Sequence, residues 1–185
     1  GIIHIMENPI PKRRLGRTNV EVSILGLGGE GVLRTVGREL EADKLINTAI
    51  DLGINYMESA RAYAGSEAYY GLALRERRPQ VFLASKSHAR DKKGACAHLE
   101  ETLSNMKTDY LDLWMIHDVR TEDDMSQIFG PNGALEAFVE ARAKGKVKYI
   151  GVTGHHDPVI VRKCLEAFDF DTVLVPVNPA ESFYK

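Results

Sequence analysis

Cysteine is scarce in this sequence. Cys96 and Cys164 stand far apart and form no metal-ligand spacing. Cys164 falls on the apolar face of a helical stretch, where a buried free thiol is expected, and a reducing, cytoplasmic location fits such usage. Long apolar runs are missing as well: none approaches the roughly 20 residues needed to cross a bilayer. The opening "GIIHIM" is apolar but too short, and unflanked, for a signal peptide. Excess charge is also absent. A formal net charge of -2 leaves no basic footprint, so nucleic acid is not an expected partner. Lys12-Arg13-Arg14 is the nearest thing to a basic cluster and reads as a solvated turn.

What is present is an ordinary globular composition, 44% hydrophobic and 27% charged, in a length that suits one domain with a buried core. We expect residues 1–11 to be an N-terminal extension, in part a tag with Met6 as the native start. Residues 12–185 are expected to be a single, partial barrel domain.

Apolar strand-like runs recur at 23–28, 54–59, 81–86, 110–117, 147–154 and 172–178, with helical stretches between them. Ala42, Leu45, Ile46, Ala49 and Ile50 repeat at the spacing of one helix face over 41–52, and Gly53 is a suitable stop. Further helices are predicted over 66–76 with Ser66 as N-cap, over 93–106, over 133–143, and over 158–168, where Pro158 follows Asp157. Such alternation predicts a parallel sheet covered by helices, either an open doubly wound sheet or a (β/α)8 barrel. The glycines of "GLGGEG" do not follow the G-x-G-x-x-G phosphate fingerprint, and about ten residues separate them from the next helix. We read this as a loop that brings backbone close to a ligand. A barrel closes with eight βα units in about 250 residues, so six strands make it incomplete, two units short. Residues 11–23, "PKRRLGRTNVEVS", read as a hairpin able to plug the barrel's N-terminal end. The stretch 118–133 is the longest irregular segment, hence a functional or mobile loop, with a solvated acidic run at Glu122 to Asp124.

The strands end on polar groups. Glu58 closes the second strand and Tyr63 lies in the loop after it; Lys86, His117 and Thr153 close the next three. In a parallel barrel these ends share one rim. A tyrosine ionises near pH 10, too high for easy proton exchange. A lysine cation beside it favours the phenolate, and a carboxylate keeps that lysine charged and oriented. A histidine can hydrogen-bond a carbonyl oxygen and steer it toward the phenol. The set would make Tyr63 a general acid for a carbonyl being reduced. His155, His156 and Asp157, with His117, Asp118 and Glu58, suggest a rival metal rim as in barrel hydrolases. Adjacent histidines point to opposite sides, however, and the first strand lacks a ligand pair, so no metal is expected.

Together, in order, "RRLGRTNVEVSILGLGG", "GINYMESARAYAGSE", "VFLASKS", "TDYLDLWMIHD", "GKVKYIGVTG" and "FDFDTVLVPVN" resemble the aldo-keto reductases from about Lys12 onward. The resemblance implies a (β/α)8 barrel that reduces aldehydes and ketones by hydride transfer from NADPH, bound across the C-terminal face. It implies a catalytic tetrad of Glu58, Tyr63, Lys86 and His117, and cofactor contacts at Gly29, Thr153, Gly154 and Leu174. Three of these depart from the family: Glu58 replaces aspartate, Gly154 an asparagine and Leu174 a glutamine. The segments that hold the cofactor's phosphates follow the seventh and eighth strands, which are not in this sequence. NADP over NAD rests on the resemblance alone. The alternative function is a non-catalytic, reductase-like binding or regulatory barrel.

Overall fold

A computed structural model of the chain describes residues 10–23, 25–28 and 31–176. Side chains of a strand alternate between its two faces, and here both faces are used. Six parallel strands stand side by side in chain order: β3 (Gly26–Leu27), β4 (Tyr56–Glu58), β5 (Phe82–Ser87), β6 (Leu111–Ile116), β7 (Val147–Thr153) and β8 (Thr172–Leu174). Between them run α1 (Glu39–Asp51), α2 (Ser66–Leu74), α3 (Lys92–Met106), α4 (Glu122–Phe129), α5 (Ala134–Ala143) and α6 (Pro158–Ala167). The sheet curls into part of a barrel, six strands of a (β/α)8 arrangement. The predicted last strand is seen only over Thr172–Leu174, and positions 177 and 178 lie outside the described residues.

Outward-facing residues pack against the helices in the main core, which includes Met57, Leu83, Trp114, Ile116, Ile150 and Val152. Trp114 stacks on Phe138 of α5 with ring centroids 3.6 Å apart. Each fully buried side chain of this size contributes roughly 1.5–3 kcal/mol, so stability resides mainly in this helix–sheet layer. One polar knot crosses it: the buried Glu67 carboxylate accepts from Ser85 Oγ (2.7 Å), Thr102 Oγ1 (2.6 Å) and Arg61 (2.6 Å), tying α2 to β5 and α3. Inward-facing Phe82, Ala84, Leu113 and Met115 form a second, smaller cluster with Val22.

Val22 belongs to the hairpin formed by β1 (Lys12–Arg14) and β2 (Glu21–Ser23). Ser23 N–H donates to Asn55 Oδ1 before β4 (2.6 Å), and Arg17 donates to the Phe170 carbonyl before β8 (3.2 Å) and pairs with Asp169. The hairpin therefore lies across the N-terminal ends of the strands, as expected. Lys12, Arg13 and Arg14 form its exposed first strand and are not a turn.

The helix termini follow local chemistry. α1 buries Ala42, Ile46 and Ala49, and Gly53 leaves it at φ +94°, a conformation only glycine adopts without strain. Asp157 caps α6 by accepting from Val159 N–H (2.9 Å), with Pro158 in the first turn. Two expectations are corrected. Ser66 is not the cap of α2: Gly65 is, and the buried Ser66 hydroxyl instead meets that of Ser59 (2.7 Å). Nor is 118–133 an irregular loop. Thr121 and Asp124 form a capping box that starts α4, so Glu122, Asp123 and Asp124 are its first turn, where acidic groups favour the helix dipole. Ile128 buries the last turn of this helix. Cys164 is buried, and burial pushes its thiol up to about 11. Among the described residues no helix is long and apolar enough to cross a membrane.

Candidate functional site

Strand register decides which side chains meet. Glu58 pairs with Ala84, Lys86 with Met115, Met115 with Gly151, and Thr153 with Leu174. Paired residues of a parallel sheet share a face, as do residues two apart on one strand. Glu58, Lys86, His117, Thr153 and Leu174 are therefore all assigned to the inner face near its C-terminal end. They rise stepwise: Lys86 stands one same-face step above Glu58, and His117, Thr153 and Leu174 one step higher still.

The loop after β4 is laced to β5, with Ser59 N–H on the Ala84 carbonyl (2.9 Å) and Arg61 N–H on that of Lys86 (3.0 Å). It carries Tyr63 over the rim, half-buried. Lys86 is 1% exposed, with Nζ 3.1 Å from Oε2 of Glu58. That contact is close but lacks hydrogen-bonding alignment, so Nζ donates no hydrogen bond among the described residues. The Lys86 ammonium also lies 4.8 Å from the centre of the Tyr63 ring, and the Arg34 guanidinium 4.2 Å from the same ring, distances typical of cation–π contact. His117 meets Tyr63 edge-on at 5.9 Å. Its Nδ1 is buried without a partner among the described residues. Burial, and then the Lys86 charge, push the His117 imidazole down to about 4, so it is neutral at physiological pH and offers one N–H.

The turn that presents His117 is held by three hydrogen bonds from two partners. Arg90 donates to the carbonyls of His117 (2.9 Å) and Asp118 (2.8 Å). Asp118, at φ +55°, donates its backbone N–H to the Thr153 hydroxyl (2.8 Å). Burial would raise the Asp118 carboxyl. The Arg120 hydrogen bond and charge, and the His155 N–H, outweigh it and hold the group below the usual carboxylate range.

The remaining sequence-predicted residues fall as follows. Thr153 is buried, its oxygen already engaged by Asp118. Gly154 donates its N–H to the Leu174 carbonyl (3.1 Å), and a Cβ there would collide with Cγ2 of Val161 in α6. Leu174 is 40% exposed and, with Gly26, Gly28, Tyr56 and Glu58, lines a cavity of about 590 Å³ that also reaches the hairpin. Gly29 lies outside the described residues. His155 faces the His117 ring edge-on while His156 lies 3.4 Å from Asp118, and among the described residues no three His, Cys, Asp or Glu groups converge as metal ligands would. The sequence reading missed Arg34 and Arg90, for which it carries no signal, and Tyr56, whose hydroxyl donates to Oε1 of Glu58 (2.9 Å). Strand alternation alone places Tyr56 on the same face as Glu58.

Residues 25–183 match the model of the Aldo/keto reductase family. The chain is 31% identical over 164 residues to an oxidoreductase of Bacillus subtilis (strain 168), YqkF, covering 80% of this chain and 50% of that protein. Among solved structures it aligns with the holo form of the aldo-keto reductase AKR11C1 from Bacillus halodurans at a TM-score of 0.78 and 26% identity, over 91% of this chain and 58% of that one. It also aligns with an aldo-keto reductase from Klebsiella pneumoniae in complex with NADPH, at a TM-score of 0.69 and 26% identity, over 80% and 51% of the two chains. The chain spans about half the length of the curated relatives it matches.

Proposed function

The chain belongs to the aldo/keto reductase family, and from that premise we propose that the full-length protein is an NADPH-dependent oxidoreductase that reduces aldehyde or ketone carbonyls, with Tyr63 as general acid. The observation that carries this reading is the convergence on Tyr63 of a buried Lys86–Glu58 pair and a neutral His117. Lys86 Nζ and His117 Nδ1 are buried and spend no hydrogen bond on the protein among the described residues. Such atoms are costly to leave unpaired, and a carbonyl oxygen arriving beside Tyr63 would meet this unspent capacity.

In this mechanism His117 orients the carbonyl oxygen through its N–H, and Tyr63 gives that oxygen a proton. Lys86 sits against the phenol ring and favours the phenolate left behind, and Glu58 keeps Lys86 charged. When bound, a nicotinamide would supply the hydride that adds to the carbonyl carbon. For the nicotinamide end of that cofactor the residues present fit: the apolar Leu174 side chain and the Gly26–Gly28 backbone border one cavity, while the buried Thr153 hydroxyl already accepts from Asp118 N–H. The polar grip on the carboxamide is thin, because Leu174 cannot hydrogen-bond and Gly154 has no room for a side chain. NADPH is chosen on the Klebsiella pneumoniae relative.

That same thin grip favours a second reading, a barrel that binds ligand without turning it over. Titration of the full-length protein with NADPH, followed by nicotinamide fluorescence, and steady-state carbonyl reduction separate the two. We expect binding, and a kcat lowered about 10²–10⁴-fold in Tyr63→Phe. Equal turnover by wild type and variant removes Tyr63 from the chemistry, and binding without any turnover supports the second reading.

A further inference from the structure

We propose that Tyr56 is a positioning residue that locks the Glu58 carboxylate onto Lys86, so that the catalytic unit is Tyr56–Glu58–Lys86–Tyr63. The proposal rests on the reductase reading above. It starts from the backbone: Tyr56 and Glu58 are two apart on β4 and share its inner face. The Tyr56 ring is held as a slab. On one side the paired residue of β3 is Gly26, where a Cβ would come within 2.8 Å of Tyr56 Cδ1. On the other side the ring stacks on Phe82 at 5.8 Å and 17°. Its hydroxyl donates to Oε1 of Glu58 at 2.9 Å, its one acceptor among the described residues. Burial, and then the Glu58 charge and hydrogen bond, push the phenol's ionisation upward, so Tyr56 stays a donor.

The carboxylate needs such a partner. Its other oxygen, Oε2, faces Lys86 Nζ, and Glu58 is the one acidic group paired with that lysine among the described residues. A glutamate has three rotatable side-chain torsions, so with Oε1 released nothing in the described hydrogen bonds would fix the carboxylate's orientation toward Lys86. Tyr56 removes that freedom. It touches neither Tyr63 nor His117 through any ring or hydrogen-bond contact of the described residues, and so acts on the chemistry through Glu58 alone.

The test is a double-mutant cycle in the full-length protein, Tyr56→Phe and Glu58→Asp, alone and together. In Glu58→Asp the carboxylate is drawn back by one C–C bond, about 1.5 Å, beyond reach of the Tyr56 hydroxyl. With Glu58 present, Tyr56→Phe should lower kcat about tenfold, the effect of one hydrogen bond to a charged group, with KM for the carbonyl within about twofold. In the Glu58→Asp background the same change should cost less than about twofold. Equal losses in the two backgrounds, or a change confined to KM, would overturn the proposal and leave Tyr56 a packing residue. Should the wild type reduce no carbonyl, the reductase reading fails separately. The Tyr56–Glu58 link is then decided by urea unfolding midpoints: Tyr56→Phe should lower the midpoint when Glu58 is intact and not in the Glu58→Asp background, and identical shifts would sink the link.

Discussion

Acidifying the full-length protein from pH 7.5 to 4.5 should weaken its fold through His117. Burial and the neighbouring Lys86 charge lower this imidazole from the usual 6.5 to about 4. Between those values the unfolded chain binds the proton and the folded chain does not, so stability rises with pH across that window. The contribution is complete above about pH 6.5 and is lost as pH falls toward 4. At about 1.4 kcal/mol per pH unit the full difference is about 3 kcal/mol. The ring keeps part of its surface in solvent, and screening reduces this to about 1–2 kcal/mol. Because other groups titrate over the same range, the quantity to measure is a difference. Urea unfolding of wild type and His117→Gln at several pH values should give a stability gap that shrinks by about 1–2 kcal/mol between pH 7 and 4.5. Lys86→Met should lift the His117 midpoint, followed by NMR of its ring proton, without restoring 6.5, since burial is the larger cause. A gap that stays flat across the range, or a wild-type midpoint near 6.5, refutes the reasoning.

Gly154→Asn should cost about 1–3 kcal/mol in urea unfolding, because the new Cβ meets Val161 in α6. Adding Val161→Ala should recover part of that loss, giving a total smaller than the sum of the two single changes. Thr121→Ala removes the acceptor of Asp124 N–H (3.0 Å) and should cost about 1 kcal/mol, read from the same unfolding curves. No change in midpoint would mean that the α4 capping box contributes nothing to global stability.

The strands were legible because a parallel strand buried on both faces reads as a short, nearly continuous apolar run, and the rim followed because Glu58, Lys86 and His117 each end such a run. The helix α4 was hidden. Its eight residues place apolar groups only at Met125, Ile128 and Phe129, and its box ends in Asp124 in place of the usual Glu or Gln. Ser66 misled because a serine before an apolar run is normally a cap, whereas here the tertiary partner Ser59 takes its hydroxyl. Arg90 was beyond reach: it clamps the His117 carbonyl from a loop 27 residues earlier, a contact that no local pattern encodes. Tyr56 lies unremarked inside the apolar run 54–59. Its hydroxyl acquires meaning only once the register sets Glu58 beside it on the inner face.

Register also bears on why a glutamate stands where the family resemblance implies aspartate. Glu58 is level with Ala84, and Lys86 lies one same-face step higher, about 6.6 Å along the strand. A carboxylate on the longer arm can turn one oxygen up to Lys86 while the other stays on the Tyr56 hydroxyl, and both contacts are present. Tyr56 in turn requires Gly26, since a side chain there would meet its ring. Position 154 shows the same coupling: a glycine stands against Val161, and an asparagine would need that helix residue to shrink. Glu58 is thus coupled to Tyr56 and Gly26, and Gly154 to Val161, so Gly154→Asn alone should cost more stability than Gly154→Asn combined with Val161→Ala.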